Sequence, residues 1–296
     1  MTRPSHVRFG VLAYGPRVRT HREAALAVLT IQLYAPPDSE IVVVTDRPAL
    51  YRWLRESITI DSLSPATLRA WRGPSDDTFR PKLEAVRQLA SGSGVDVALV
   101  DTDTMARHDL TPFAHRLAAG AILMHRREYL LASPPRKNDR HLAREILGRS
   151  WHGIMPDPVT TSMWNSGVLA SSHAHTGIFD TALAVFDEMR PLTRYFAVDQ
   201  LACSVAFPTY GPLEEAAPWF DHYWANRPWF DRAVERFLSR ARLENLSVAE
   251  ARERLARHPI VGTTDGPVSW WSRKLRRLLG AAEPGDDEVS EPPPTT

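Results

Sequence analysis

Cysteine occurs once in the 296 residues, as Cys203, which excludes an internal disulfide and any cysteine-rich zinc site. No apolar run reaches the roughly 20 residues that a membrane-spanning helix needs. Met1 to Arg8 lack the apolar stretch of a secretory leader. Neither charge dominates, with 36 basic residues against 35 acidic ones, so no overall field draws nucleic acid and any phosphate must be met by a local site. These absences predict a cytoplasmic protein in a reducing compartment, with no nucleic-acid partner and at most peripheral contact with the inner membrane face. The setting of Cys203, from Val198 to Ala206, reads as a helix, where a thiol is a buried packing group rather than a nucleophile.

What the chain does have is an apolar run that stops on two acids, Val95-Asp96-Val97-Ala98-Leu99-Val100-Asp101-Thr102-Asp103. A buried strand delivering Asp101 and Asp103 to its carboxyl end puts two hard oxygen ligands where α/β sheets bind ligands. If the extended conformation persists, alternation turns both carboxylates to one side and Thr102 to the other.

The first half alternates strand and helix signals, which predicts an α/β fold with a Rossmann-like, mostly parallel central sheet flanked by helices. Val7 to Ala13 and the β-branched run Ile41 to Thr45 read as buried strands, with a shorter one at Ile58 to Ile60. Thr20 and Glu23 have capping-box spacing and predict a helix from there to about Tyr34, stopped by Pro36-Pro37. Helices are expected near Ala49 to Arg55, over Phe79, Leu83, Val86 and Leu89, and from Leu110 to Ala119, with a strand at Ala121 to Met124. From Arg126 to Val159 periodicity fades around one helix at Arg140 to Leu147, and a long irregular segment in a compact domain is more often functional than accidental. Order returns with a strand at Asn165 to Ala170 and helices near Gly177 to Met189 and Tyr195 to Phe207. Phe230, Val234, Phe237 and Leu238 mark an amphipathic helix, and Ser247 with Glu250 caps another that ends before Pro259. We therefore expect a catalytic domain over 1–229, a helical C-terminal extension over 230–262, a linker with a basic amphipathic segment over 263–282 and a disordered acidic tail over 283–296.

Four scattered segments acquire meaning together: Asp101-Thr102-Asp103, Trp164-Asn165-Ser166-Gly167-Val168, Val198-Asp199-Gln200 and His222 to Trp229. In this order they resemble the nucleotide-sugar glycosyltransferases of GT-A fold, most closely the family-eight type that includes glycogenin and the lipopolysaccharide galactosyltransferases. The resemblance covers roughly Val7 to Trp229. It implies that Asp101, Asp103 and His222 hold manganese, with magnesium the less suitable ion for mixed oxygen and nitrogen ligation. It implies that Asn165, Ser166, Asp199 and Gln200 line the donor sugar, and that Lys82 meets the diphosphate, with Arg80 the competitor for that task. Tyr14 and Gly15 end the first strand and Thr45 and Asp46 the second, so these four are placed to contact the uridine of a UDP donor. The resemblance further implies a diphosphate clamp at Arg227, which stands one position earlier than the family's lysine, while Ala225 replaces the family's glycine. Transfer with retention of anomeric configuration is the expected chemistry, to a saccharide, lipid-linked or protein acceptor.

Taken singly, His222 among Phe220, Tyr223, Trp224 and Trp229 reads as a packed aromatic-cluster residue, Asp199 as the polar face of a helix, and Lys82 as solvated. A haloacid-dehalogenase-like phosphatase also opens on an apolar strand ending in acid-x-acid, but Met105 stands where that pattern wants threonine or valine. A catalytically inactive nucleotide-sugar binder is the third possibility. Trp271, Leu275, Leu278 and Leu279 with their basic neighbours have the pattern of a membrane-surface helix over 268–280, or of a helix docked back on the domain.

Overall fold

The computed structural model describes residues 6–92, 94–135, 137–193 and 195–262. The expected membrane-surface helix and acidic tail lie outside them. Two compact units divide between His222 and Tyr223.

The first unit is built on a seven-stranded sheet. Its strands are β1 (Val7–Ala13), β2 (Glu40–Thr45), β3 (Thr59–Ser62), β4 (Asp96–Val100), β6 (Ile122–Leu130), β7 (Ser162–Ser171) and β8 (Leu213–Glu215), in the spatial order β3-β2-β1-β4-β7-β6-β8. Only β7 runs against its neighbours; the pairings β2 with β3, β1 with β2, β1 with β4 and β6 with β8 are parallel. The mostly parallel α/β fold expected from the sequence is the one observed. A second, two-stranded antiparallel sheet joins β5 (Thr104–Ala106) to β9 (Phe220–His222).

Helices α1 (Val18–Tyr34), α2 (Pro65–Arg72), α3 (Arg80–Ala90), α4 (Thr111–Ala118), α5 (Lys137–Leu147), α6 (Ile178–Met189) and α7 (Val198–Ala206) flank the sheet. Alternation along β1 decides which helix each face receives. On one side Gly10 makes room for α3, since a Cβ there would lie 2.1 Å from Leu89 Cδ1. On the other, Phe9 stacks on Phe113 of α4 with ring centroids 6.1 Å apart.

Several local expectations are corrected. Helix α1 begins two residues before Thr20, with Thr20 already helical, and Glu23 is buried 3.8 Å from Arg19 Nε instead of capping. The Ala49 helix is a 3₁₀ segment over Pro48–Leu54. Strand β6 runs six residues past Met124, into the stretch expected to be irregular. Helix α2 was not anticipated, although Ser64 accepts a hydrogen bond from the Thr67 N–H and Pro65 opens the helix, as a helix start requires.

The second unit contains α8 (Arg227–Leu243) and α9 (Val248–Arg257). Ser247 and Glu250 form the expected capping box. Arg254 and Arg240 both pair with Glu244, which ties the end of α8 to α9.

Candidate functional site

The parallel register brings the ends of β1, β2 and β4 to one edge of the sheet, the edge where open α/β sheets bind ligands. Strand β4 stops at Val100, and the acids follow in a turn closed by the Thr104 N–H on the Asp101 carbonyl at 3.1 Å. A turn, not a continued strand, therefore brings Asp101 and Asp103 together. The backbone N–H of Asp101 is held by the Gly167 carbonyl at 2.9 Å.

His222 reaches the acids through the small sheet. Antiparallel pairing sets His222 opposite Thr104, and Arg107 bonds Asp221 at 2.5 Å to fix that register. One ligand atom from each of Asp101, Asp103 and His222 lies within 4.8 Å of the others. His222 Nε2 stands 3.3 Å from Asp103 Oδ1. Two carboxylates and an imidazole at this spacing could hold a divalent cation.

Beside this triad lies a buried charge cluster. The Lys82 ammonium donates to Asp101 Oδ2 at 2.7 Å and to Ser166 Oγ at 2.9 Å, with Asp199 Oδ2 at 3.6 Å. Burial by itself lowers the Lys82 pKa, but Asp101 and Asp199 outweigh it and the pKa is raised. Burial pushes the Asp199 carboxyl up, against the pull of Lys82. The Ser166 hydroxyl in turn donates a hydrogen bond to Asp199 Oδ2 at 3.1 Å. Lys82 is thus a buried bridge between two acids, not the solvated side chain it resembles in isolation.

A third group links the amides. Asn165 Nδ2 and Gln200 Nε2 donate to the two oxygens of Glu128, each at 3.1 Å. Gln200 Oε1 accepts from the Ser166 N–H at 3.3 Å. Glu128 escaped the sequence reading. It is the extra residue of a bulge, since Arg127 pairs with Trp164 and Tyr129 already with Met163, and bulges re-aim side chains next to active sites.

His125, from the adjoining part of β6, meets the His222 ring edge to face at 5.4 Å. Its Nε2 donates to the Phe220 carbonyl at 3.1 Å, and burial pushes its pKa down to about 3. It is neutral and held in place.

At the ends of β1 and β2, Gly15 takes φ +90 and donates its N–H to both Asp46 oxygens at 3.1 and 3.2 Å, while His21 Nε2 binds its carbonyl at 3.0 Å. Tyr14 Oη donates to the Thr78 carbonyl. Thr45 is buried, and its hydroxyl accepts from the Arg47 N–H at 3.1 Å.

One expected residue, Arg80, is not brought to the Lys82 cluster. Arg80 forks onto Asp187 at 2.7 and 2.9 Å and also bonds Glu84 and the Trp71 carbonyl, so its guanidinium braces α2, α3 and α6. It opens α3 two residues before Lys82, and that offset turns it to another side of the helix. Arg227 is the first residue of α8, in the second unit.

No family model matches the sequence, and the comparison with curated proteins finds no match. Solved structures do match. Mouse xyloside xylosyltransferase 1, in its apo form, is 12% identical over 71% of this chain and 85% of its own, with a TM-score of 0.49. The galactosyltransferase LgtC, in complex with donor and acceptor sugar analogs, is 14% identical over 67% of this chain and 70% of its own, with a TM-score of 0.43. An active-site mutant of LgtC gives 15%, the same coverage and 0.44. These neighbours are glycosyltransferases. Among the described residues, no helix is long and apolar enough to cross a membrane.

Proposed function

We propose that this chain is a glycosyltransferase that moves a sugar from a nucleotide-diphosphate donor, UDP in our reading, to an acceptor hydroxyl with retention of configuration. The observation that carries the proposal is the convergence of Asp101, Asp103 and His222, from two distant segments, within 4.8 Å at the ligand-binding edge of the sheet. Asp101, Asp103 and His222 would hold a manganese or magnesium ion, which when bound neutralises the diphosphate as it leaves.

The chain's own residues supply the rest. The turn at Tyr14 and Gly15, clamped by Asp46 and His21, offers a fixed platform for the base and ribose at the carboxyl ends of β1 and β2. Lys82 holds Asp101 and Asp199 in place and offsets their mutual repulsion. Asp199, buried in the first turn of α7, places negative potential beside the carbon that becomes electron-poor as the bond to the phosphate oxygen breaks. Gln200, oriented by Glu128 and by the Ser166 N–H, supplies amide hydrogen-bonding capacity to sugar hydroxyls. In the retaining reading the acceptor hydroxyl attacks the same face from which the diphosphate departs, and its proton goes to the departing phosphate oxygen. We assign the choice of acceptor, saccharide, lipid-linked or protein, to the segment from 126 to 159.

The proposal is tested by incubating the full-length protein with a panel of nucleotide sugars, with and without manganese. Metal-dependent release of nucleoside diphosphate supports it. Release of phosphate from phosphomonoesters without sugar-nucleotide turnover favours a phosphatase, and tight nucleotide binding without turnover favours an inactive binder. Proton NMR of the first-formed product reads the anomer.

A further inference from the structure

We infer that Asn165 is a positioning residue that sets the tautomer of His222, leaving Nε2 unprotonated toward the acid pair. The inference rests on reading Asp101, Asp103 and His222 as a cation site, and it gives Asn165 a task other than the sugar contact that the family resemblance implies.

The orientation of the Asn165 amide follows from its partners. The Gly167 backbone N–H can only donate, so the atom 2.9 Å from it is Oδ1. The Glu128 carboxylate only accepts, so the atom 3.1 Å from it is Nδ2. Both assignments agree on one rotamer. Asn165 Oδ1 then faces His222 Nδ1 at 2.8 Å. An amide oxygen cannot donate, so the proton of that contact belongs to Nδ1, and in the neutral imidazole Nε2 carries the lone pair.

The opposite tautomer is disfavoured by the same distances. A proton on Nε2 would find Asp103 Oδ1 only at 3.3 Å, long for a charge-assisted bond, and would leave two lone pairs facing each other across 2.8 Å. His125 does not compete. Its own N–H is spent on the Phe220 carbonyl, so it offers His222 ring packing and no proton. A hydrogen-bonded partner on the second nitrogen is how imidazoles are generally prepared to bind metals. Here the chain runs from His222 through Asn165 to Glu128 and on to Gln200, which connects the cation site to the sugar-facing amide.

The test uses full-length, metal-free protein labelled with nitrogen-15, at mildly alkaline pH. Two-bond proton–nitrogen correlation reads the tautomer, with His222 assigned by its loss in His222→Gln. Wild type and Asn165→Asp, whose carboxylate still accepts from Nδ1, should show Nδ1 protonated. Asn165→Leu should show the other tautomer or a mixture. Manganese affinity should fall about 10- to 100-fold in Asn165→Leu and remain within about threefold of wild type in Asn165→Asp. An Nε2-protonated wild type, an Asn165→Leu protein unchanged in tautomer and affinity, or equal loss in both variants overturns the inference. Correct tautomers in a wild-type protein that binds no divalent cation would uphold the lock and refute the cation site itself.

Discussion

Gly167 and His222 occupy space that admits no third group: a Cβ on Gly167 would lie 2.3 Å from His222 Nδ1 and 2.7 Å from its Cγ. The strand that carries Asn165 and Ser166 can therefore pass under the imidazole only as glycine. Gly167→Ala should push the ring off Asn165 and cost about 1–3 kcal/mol of stability, the usual range for overpacking a filled site. Manganese affinity should fall by about tenfold or more. Denaturant titration and a metal titration of the same preparation check the two effects together.

Lys82 lies between two carboxylates and is almost wholly buried. Removing one partner of a buried ion pair leaves an uncompensated charge, which typically costs 3–5 kcal/mol, roughly. Asp101 keeps some solvent contact, so Lys82→Met should cost about 2–4 kcal/mol. Adding Asp199→Asn should restore part of that loss. A double-mutant cycle by urea denaturation measures the coupling, and strict additivity would refute the pairing.

Glu128 is exposed yet accepts from both Asn165 and Gln200. Glu128→Gln sets an amide N–H group against another and should release Gln200. Turnover should drop about 10- to 100-fold, while unfolding temperature stays within about 2 °C because no core contact is lost. Equal turnover in the variant would show that the bridge has no part in the reaction.

Cys203 is fully buried in α7, and burial holds its thiol well above the ordinary value of 9.0. Native protein should resist thiol reagents across the neutral and mildly alkaline range and react only as α7 opens. Above about pH 9 the unfolded chain loses the thiol proton while the folded one keeps it, so the native state binds more protons and stability falls as pH rises. Cys203→Ala should remove that share of the alkaline slope, measured as unfolding free energy against pH.

The parts of this fold legible in the sequence are those with long, uniform physical signals. Phe9–Ala13, Ile41–Thr45 and Val97–Val100 carry buried apolar residues on both faces, so continuous apolar composition marks them. The acid pair is legible because it ends such a run. His222 is not legible that way. Its strand has three residues, too few for periodicity, and only the family resemblance singled it out. Glu128 is hidden for a different reason: a bulge breaks the alternation that would have shown which way it points. Arg80 and Lys82 show what local sequence omits. Both are basic and two positions apart, and only the placement of Asp187 and Asp101 assigns one to helix packing and the other to the site.

Calorimetric titration of manganese into wild type, Asp103→Ala and His222→Ala, each checked for folding by circular dichroism, tests the central claim most directly. One ion should bind per wild-type chain, with binding lost or weakened at least about 100-fold in both variants, since each removes a proposed ligand. A wild-type protein that binds no divalent cation, or variants that bind as wild type does, would contradict it.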